Sequence, residues 1–241
     1  MMVMAFKRIS VLNSAGLPDS RSYIAVGDLC QIGEKAWNGL WPVTYPTTKG
    51  LKTRWVRTLK GFLCNQHEFG GLAYVAPGYP RATIKSSGCG VCAAVNVIGA
   101  LTHRCIPVRV MRDIAINCGA RVSGGTDMRR LADTICSSYG MKWKASNSIE
   151  ELQTHLHNGG VAICNASGRG TFSTGGHYIT ALGILDGKIC IADSGLYTGK
   201  YSTAARRSKV TVSGDLIFAS WATLEADCIG RWPRYYLFSK A

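Results

Sequence analysis

One cysteine of this sequence lies where a thiol could act as a nucleophile. Cys89 stands between two glycines at the start of an apolar segment, residues 90–101, that we expect to be a helix buried on all sides. A thiol in the first turn of a helix faces unpaired backbone N–H groups and the positive end of the helix dipole, and both favour the thiolate. The backbone N–H of Cys89 could also donate to the oxyanion formed when the sulfur attacks a carbonyl group.

A histidine and an aspartate are predicted to meet on two paired strands. His177 follows two glycines and opens the apolar strand 177–184, whereas Asp193 ends the strand 188–193. Asp186-Gly187 lies between them and strongly favours a two-residue hairpin turn, so the strands should be antiparallel neighbours. Asp193 then falls within a residue or two of the position opposite His177. Cysteine, base and orienting carboxylate together form the set used in covalent hydrolysis.

Helices precede strands in the part of the chain that carries these residues. Within 85–241 the sequence predicts the buried helix, a second helix opened by Pro107, a third capped by Thr126 and a short fourth opened by Ser148. Six strands follow, at 161–165, 177–184, 188–193, 209–212, 216–219 and 234–238. Helices followed by an antiparallel sheet predict an α+β domain.

The first 60 residues have a different character. Short β-branched and aromatic segments alternate there with turn residues, which is typical of a small barrel made only of strands. Residues 61–84 contain Gly70-Gly71 and the Pro77–Pro80 turn, and we interpret them as a linker over the surface. The predicted organisation is therefore 1–60, a linker at 61–84, and a second domain at 85–241.

Composition limits the class of protein. The chain has 46% hydrophobic residues, enough for a globular core. No apolar run reaches the roughly 18 residues of a membrane span, and the N-terminus lacks a signal-peptide core, so we expect synthesis in the cytoplasm and no stable membrane insertion. The ten cysteines are irregularly spaced, which favours buried thiols over a disulfide scaffold. The net charge of +14 favours an anionic partner.

From about Thr83 to Phe238 the chain resembles papain-like cysteine peptidases related to the bacteriocin-leader (double-glycine) peptidases. The resemblance rests on Gly88-Cys89-Gly90, Gly124-Gly125-Thr126, Gly175–Ile179 and Asp193, in that order. It implies Cys89 as nucleophile, His177 as general base and then acid, Asp193 as the orienting group, and no cofactor or metal. The glutamine that these enzymes usually carry six residues before the nucleophile is replaced by Thr83. Thr83, Ser86 and Ser87 are therefore our candidates for the second oxyanion donor.

The N-terminal segment resembles bacterial SH3-like cell-wall-binding modules. The motifs that carry this resemblance are Val26-Gly27-Asp28, Trp41–Pro46 and Gly50–Val56. Together the two resemblances imply an endolysin-like peptidoglycan hydrolase, an endopeptidase or amidase that acts on the cell wall after its release from the cytoplasm. Anionic wall polymers would then account for the basic charge. The basic residues are scattered and no nucleic-acid-binding motif stands out, so we expect no nucleic-acid partner.

Other interpretations of the same residues stay open. A related peptidase could trim leader peptides or other proteins instead of the wall. Cys89 and Cys92 also form a C-x-x-C motif, as in thiol-disulfide oxidoreductases, although no strand is predicted to lead into it. Zinc is disfavoured because no second Cys or His pair lies at ligand spacing. Taken singly, His177 could be a strand-end histidine, and Asp193 a turn residue bonded to Gly195.

Overall fold

Antiparallel pairing organises all the sheets of this protein. The computed structural model describes residues 1–241 and confirms the predicted α+β class, with a six-stranded sheet, a seven-stranded sheet, a two-stranded ribbon and seven helices. The strands are β1 Met2–Met4, β2 Ile9–Leu12, β3 Pro18–Ile24, β4 Leu29–Ile32, β5 Trp41–Thr47, β6 Gly50–Val56, β7 Arg121–Val122, β8 Gly125–Thr126, β9 Met141–Ser146, β10 Val161–Ala166, β11 His177–Leu185, β12 Lys188–Ala192, β13 Val210–Ser213, β14 Leu216–Ala219 and β15 Tyr235–Lys240. The helices are α1 Ile84–Ser87, α2 Cys89–Thr102, α3 Val108–Asn117, α4 Met128–Tyr139, α5 Ile149–His157, α6 Ala204–Arg207 and α7 Trp221–Cys228.

The first sheet is built from the N-terminal strands in the order β1-β4-β5-β6-β2-β3. Five of its six strands coincide with predicted segments. The sixth, β1, was not predicted because it has only three residues and no alternation of polar and apolar side chains. Its Val3 and Met4 are buried, and Met4 lies so close to Gly99 of α2 that a Cβ at Gly99 would come within 2.9 Å of the Met4 Cβ. This strand therefore joins the first sheet to the central helix.

The second sheet has the order β13-β14-β12-β11-β10-β15-β9 and holds the predicted hairpin at its centre. Asp186 and Gly187 have φ values of +51° and +69°, the left-handed pair that a two-residue turn requires. The β11–β12 ladder runs back to the pair Thr180 and Ala192, so Asp193 is the first residue after it. The hairpin prediction is confirmed. Strand β9, at the edge, was not predicted.

Helix α2 is the buried centre of the fold, as its sequence predicts. Every residue from Gly90 to Leu101 is buried. Helix α4 begins one residue later than expected, because Asp127 rather than Thr126 caps it, and the Asp127 carboxylate accepts from the N–H groups of Arg129 and Arg130. Thr126 instead lies buried beside the start of α2, where its hydroxyl bonds that of Tyr74 at 2.9 Å.

The segment 61–84 is not the surface linker that its turn residues suggested. Phe62, Leu63, Cys64 and Tyr74 are buried, and they belong to a single apolar core that also contains residues of both sheets and of α2. Its glycines and prolines lie in short turns that separate these buried residues. The turns were therefore predicted correctly, whereas the burial of the residues between them was not predicted. The N-terminal sheet and the remainder of the chain consequently share one core.

A second contact between the two sheets is aromatic. The ring of Trp41, on β5, stacks on that of Phe218, on β14, with centroids 5.4 Å apart and an interplanar angle of 8°. Trp41 is 5% exposed, so its indole is used in packing. None of the seven helices combines the length and the apolarity that a bilayer crossing requires.

Candidate active site

Cys89 is the first residue of α2, as the sequence predicts, and it is a partly exposed residue. The glycines on either side are required by packing. A Cβ at Gly88 would come within 2.7 Å of the carbonyl oxygen of Ile84, and a Cβ at Gly90 within 2.7 Å of the Thr126 Cβ. Because these glycines have no side chains, the first turn of α2 packs directly against α1 and against β8, the strand that contains Thr126. This packing holds Cys89 in position.

His177 and Asp193 form a buried pair. The Nε2 of His177 donates to Oδ1 of Asp193 over 2.7 Å, and the two side chains are 9% and 0% exposed. The imidazole lies close enough to the sulfur of Cys89 for each group to shift the pKa of the other, and the bond to Asp193 leaves Nδ1 as the ring nitrogen available to the thiol. The three side chains predicted from separate parts of the sequence are therefore brought together, in the order sulfur, imidazole and carboxylate.

The two residues that follow Asp193 in the sequence hold the His177–Asp193 pair in place. Gly195 donates its backbone N–H to Oδ1 of Asp193 at 2.9 Å, so the Asx contact considered from the sequence exists alongside the histidine pair. A Cβ at Gly195 would lie 2.9 Å from Cε1 of His177, and only glycine leaves room for the ring. The Ser194 hydroxyl lies 3.3 Å from the Cys89 carbonyl and 3.2 Å from the Tyr178 carbonyl, which links the helix to the strand.

The other oxygen of Asp193 has partners that sequence reasoning missed. Lys200 donates its Nζ to Oδ2 at 2.5 Å, and Tyr201 donates its hydroxyl at 2.6 Å. The Lys200 side chain is only 5% exposed. A buried carboxylate needs such compensation, because each unpaired oxygen in a poorly solvated site is unfavourable. The sequence holds no signal for this role, since a lysine in a glycine-rich loop is ordinarily exposed.

These contacts move the pKa values of all three groups. Burial raises the pKa of the Cys89 thiol, but the hydrogen bond and charge of His177, with N–H groups of Tyr178 and Gly90, outweigh it and leave that pKa below its ordinary value. Burial lowers the pKa of His177, whereas the charge of Asp193 and its hydrogen bond, and then Cys89, raise it to about 9. Asp193, despite burial, has a lowered pKa because His177 and Lys200 are positively charged. At neutral pH the arrangement favours thiolate, imidazolium and carboxylate.

Thr83, the predicted second oxyanion donor, is not joined to this group. It caps α1, its backbone N–H donates to the Ser86 hydroxyl at 3.0 Å, and none of its hydrogen bonds reaches Cys89 or His177. A glutamine that the sequence analysis did not consider lies beside α1. Gln66 is buried, its Nε2 donates to the Lys85 carbonyl at 2.8 Å, and its backbone N–H donates to the Ser194 carbonyl at 2.8 Å. Gln66 lies 23 positions before Cys89 in the sequence, and no motif connects the two residues. Only the fold brings Gln66 to α1.

The second cysteine of the C-x-x-C motif belongs to the apolar core. Cys92 is fully buried, and its thiol neighbours that of Cys64. That contact and burial raise the pKa of Cys92 well above its ordinary value, opposite to the direction for Cys89. The two thiols of the motif are therefore chemically unlike each other. No three side chains of His, Cys, Asp or Glu come together as potential metal ligands.

The lowered pKa of Cys89 predicts selective alkylation. At about pH 6 we expect iodoacetamide to label Cys89 before Cys105, because alkylation requires the thiolate. Cys105 is the exposed cysteine of the chain, and the partial loss of solvent around it, together with the nearby Cys64, raises its pKa. Peptide mapping by mass spectrometry after a short pulse of reagent measures both sites in one sample. Preferential labelling of Cys105 would contradict the thiolate–imidazolium pair.

Comparisons of the chain with protein-family models, with curated proteins and with solved structures find no match.

Proposed function

We propose that this protein is a cysteine hydrolase that cleaves a peptide or amide bond of the bacterial cell wall. The observation that carries the proposal is the grouping of the partly exposed residue Cys89, the neighbouring His177 ring and the buried Asp193 carboxylate that this ring bonds. Thiolate, imidazolium and carboxylate in this order are suited to acyl transfer from an amide. A helix that carries the cysteine and packs on an antiparallel sheet that carries the other two groups also agrees with a papain-like domain.

The proposed reaction has two halves. The Cys89 thiolate attacks the carbonyl carbon, a C–S bond forms, and the charge moves to the carbonyl oxygen. His177 then gives its proton to the nitrogen as the C–N bond breaks, so that an amine leaves and a thioester remains. In the second half His177 removes a proton from water, the hydroxide attacks the thioester, and the acid is released with the thiolate restored. Asp193 holds the ring and stabilises its charge throughout.

The negative oxygen requires donors at the start of α2. The backbone N–H of Cys89 belongs to the first turn, where helix N–H groups have no partner within the helix. Gln66 replaces Thr83 as our candidate for the second donor, because its buried amide lies against Lys85, on the short helix that leads to Cys89. One amide N–H of Gln66 bonds the Lys85 carbonyl, so the other remains for a ligand.

The wall as substrate is proposed from the N-terminal sheet and the charge. We interpret residues 1–60 as an SH3-like binding module. Its open groove of about 930 Å³ is lined by Arg21, Lys49 and Lys52 and by a single carboxylate, that of Asp28. The Asp28 carboxylate already accepts from the Ala25 N–H at 2.7 Å. This surface therefore attracts anionic polymers, and the attraction should weaken as salt rises.

Digestion of purified Gram-positive walls tests the proposal. We expect soluble fragments with new amino groups and no new reducing sugar ends, because an amide is cut and the glycan is not. Mass analysis of the fragments identifies the bond, and a wall sample incubated with iodoacetamide-treated protein is the control. New reducing ends would indicate a glycosidase. Intact walls together with cleavage of added peptides would favour the peptidase that trims leader peptides or proteins.

A further inference from the structure

One arginine beside the candidate base has no partner within the protein. Arg231 lies in the loop between α7 and β15, and its guanidinium is placed against Gly176, the residue before His177. A Cβ at Gly176 would come within 2.3 Å of Nη2 of Arg231. The second glycine of the Gly175-Gly176-His177 sequence therefore makes room for this guanidinium, directly next to the start of the strand that carries the base.

The hydrogen-bonding state of Arg231 is unusual. Its Nε is buried and has no acceptor, and none of the ion pairs of the structure includes this side chain. Arg234, three residues later in the same loop, lies 3.7 Å from Glu225 and also donates to a backbone carbonyl. Buried N–H groups almost always have acceptors, so the acceptor for Arg231 is expected from outside the chain.

The surroundings of Arg231 leave its charge uncompensated. Arg169 approaches the same loop, with Nη2 3.8 Å from the position of a Cβ on Gly230. The nearby Asp227 is buried, and its two oxygens accept the backbone N–H groups of Thr171 and Phe172 at 3.1 Å each. Asp193 is occupied by its own four donors. An anion bound at Arg231 would therefore meet an unpaired guanidinium group, while the carboxylates of Asp227 and Asp193 are already bonded within the protein.

We propose that Arg231 is a specificity-determining residue that binds a carboxylate of the substrate beside the bond that is cleaved. A guanidinium presents its N–H groups in a planar fork that matches the two oxygens of a carboxylate, and such bonds are stronger and more directional than neutral ones. The preferred substrate is then an amide or peptide bond flanked by a free carboxylate, from an acidic residue or a chain end. This inference rests on the proposed roles of Cys89 and His177.

Two alkylating reagents of equal reach separate this inference from the proposed reaction. Iodoacetate and iodoacetamide both form an S–C bond at Cys89 and release iodide, but only iodoacetate carries a carboxylate. We expect the ratio of the iodoacetate rate to the iodoacetamide rate to fall about threefold in Arg231→Gln at low salt, through loss of one nearby charge. The iodoacetamide rate should stay unchanged. Arg234→Gln is the matched control, because the charge of Arg234 is paired with Glu225, and it should keep the wild-type ratio.

A substrate assay provides the second readout. Walls whose carboxylates have been converted to amides with carbodiimide and ammonium should be cleaved more slowly than untreated walls by the wild-type protein, whereas Arg231→Gln should cleave both at the same reduced rate. Equal alkylation ratios in wild type and Arg231→Gln, with Cys89 still labelled, would overturn the carboxylate site and leave the hydrolase proposal intact. Failure of both reagents to label Cys89 would overturn both proposals.

Discussion

Replacing Cys89 by alanine should abolish wall cleavage, with a loss of at least about 10⁴-fold in rate, because no other group of the site can form the covalent intermediate. His177 and Asp193 would remain paired, but a carboxylate-backed imidazole alone has no sulfur to activate. The change removes one sulfur atom from a partly exposed residue in the first turn of α2 and leaves the neighbouring glycines in place. We therefore expect the thermal unfolding temperature to change little.

Loss of turbidity of Gram-positive cells, followed for the wild type and the variant at equal concentration, measures this effect. Cys105→Ala is the matched control, since it removes an exposed thiol outside the site and should lyse cells at the wild-type rate. Cys92→Ala distinguishes the redox interpretation, in which both cysteines of the motif are required. Equal lysis by wild type and Cys89→Ala would exclude the thiol mechanism.

The sequence predicted those parts of the site that depend on local patterns. The Asp186-Gly187 turn defined the pairing of its two flanking strands, and that pairing is sufficient to bring Asp193 back toward His177. The apolar run after Cys89 defined α2 because Asn96 is the one strongly polar side chain that interrupts it. Each inference used residues within about twenty positions of one another, where the turn and the helix period restrict the geometry.

The missed features depend on contacts between distant segments. Lys200 could be recognised as buried only once Asp193 was known to lack a second partner, and Gln66 only once its loop was known to meet α1. The segment 61–84 was predicted as exposed from its turn residues, although Phe62 and Tyr74 between them are core residues. Turn residues indicate where the chain changes direction. Whether the residues between turns are buried depends on which distant segments pack against them.

The second large effect is expected for Asp193→Asn, for which we predict a loss of about 10³- to 10⁴-fold in cleavage rate through the wrong tautomer of the histidine. All four groups around the Asp193 carboxylate donate hydrogen bonds. An asparagine that turns its carbonyl oxygen toward Lys200 presents its NH₂ to Nε2 of His177, which must then accept. The ring proton moves to Nδ1, the atom that faces the sulfur, and the imidazole can no longer take a proton from the thiol.

The pH dependence separates this effect from simple unfolding. The negative charge of Asp193 and its hydrogen bond to the ring are the main causes that raise the pKa of His177 to about 9. Their loss lowers the pKa of His177, and because the imidazolium stabilises the adjacent thiolate, it also makes that thiolate less stable. The wild type should keep its activity until the pH rises through about 9, where His177 loses the proton that the leaving amine requires. In Asp193→Asn, alkylation of Cys89 by iodoacetamide should begin at a higher pH than in the wild type.

Two further variants complete the test of Asp193. Asp186→Asn changes the other aspartate of the same hairpin at a turn position with φ of +51°, which asparagine tolerates, and should retain wild-type cleavage. Tyr201→Phe removes one donor from Asp193 without altering the histidine tautomer, and should cost about 1–3 kcal/mol of stability with a much smaller loss of rate than Asp193→Asn. If Asp193→Asn lowers the unfolding temperature like Tyr201→Phe and leaves the cleavage rate and the alkylation profile unchanged, Asp193 stabilises the fold and does not orient the base.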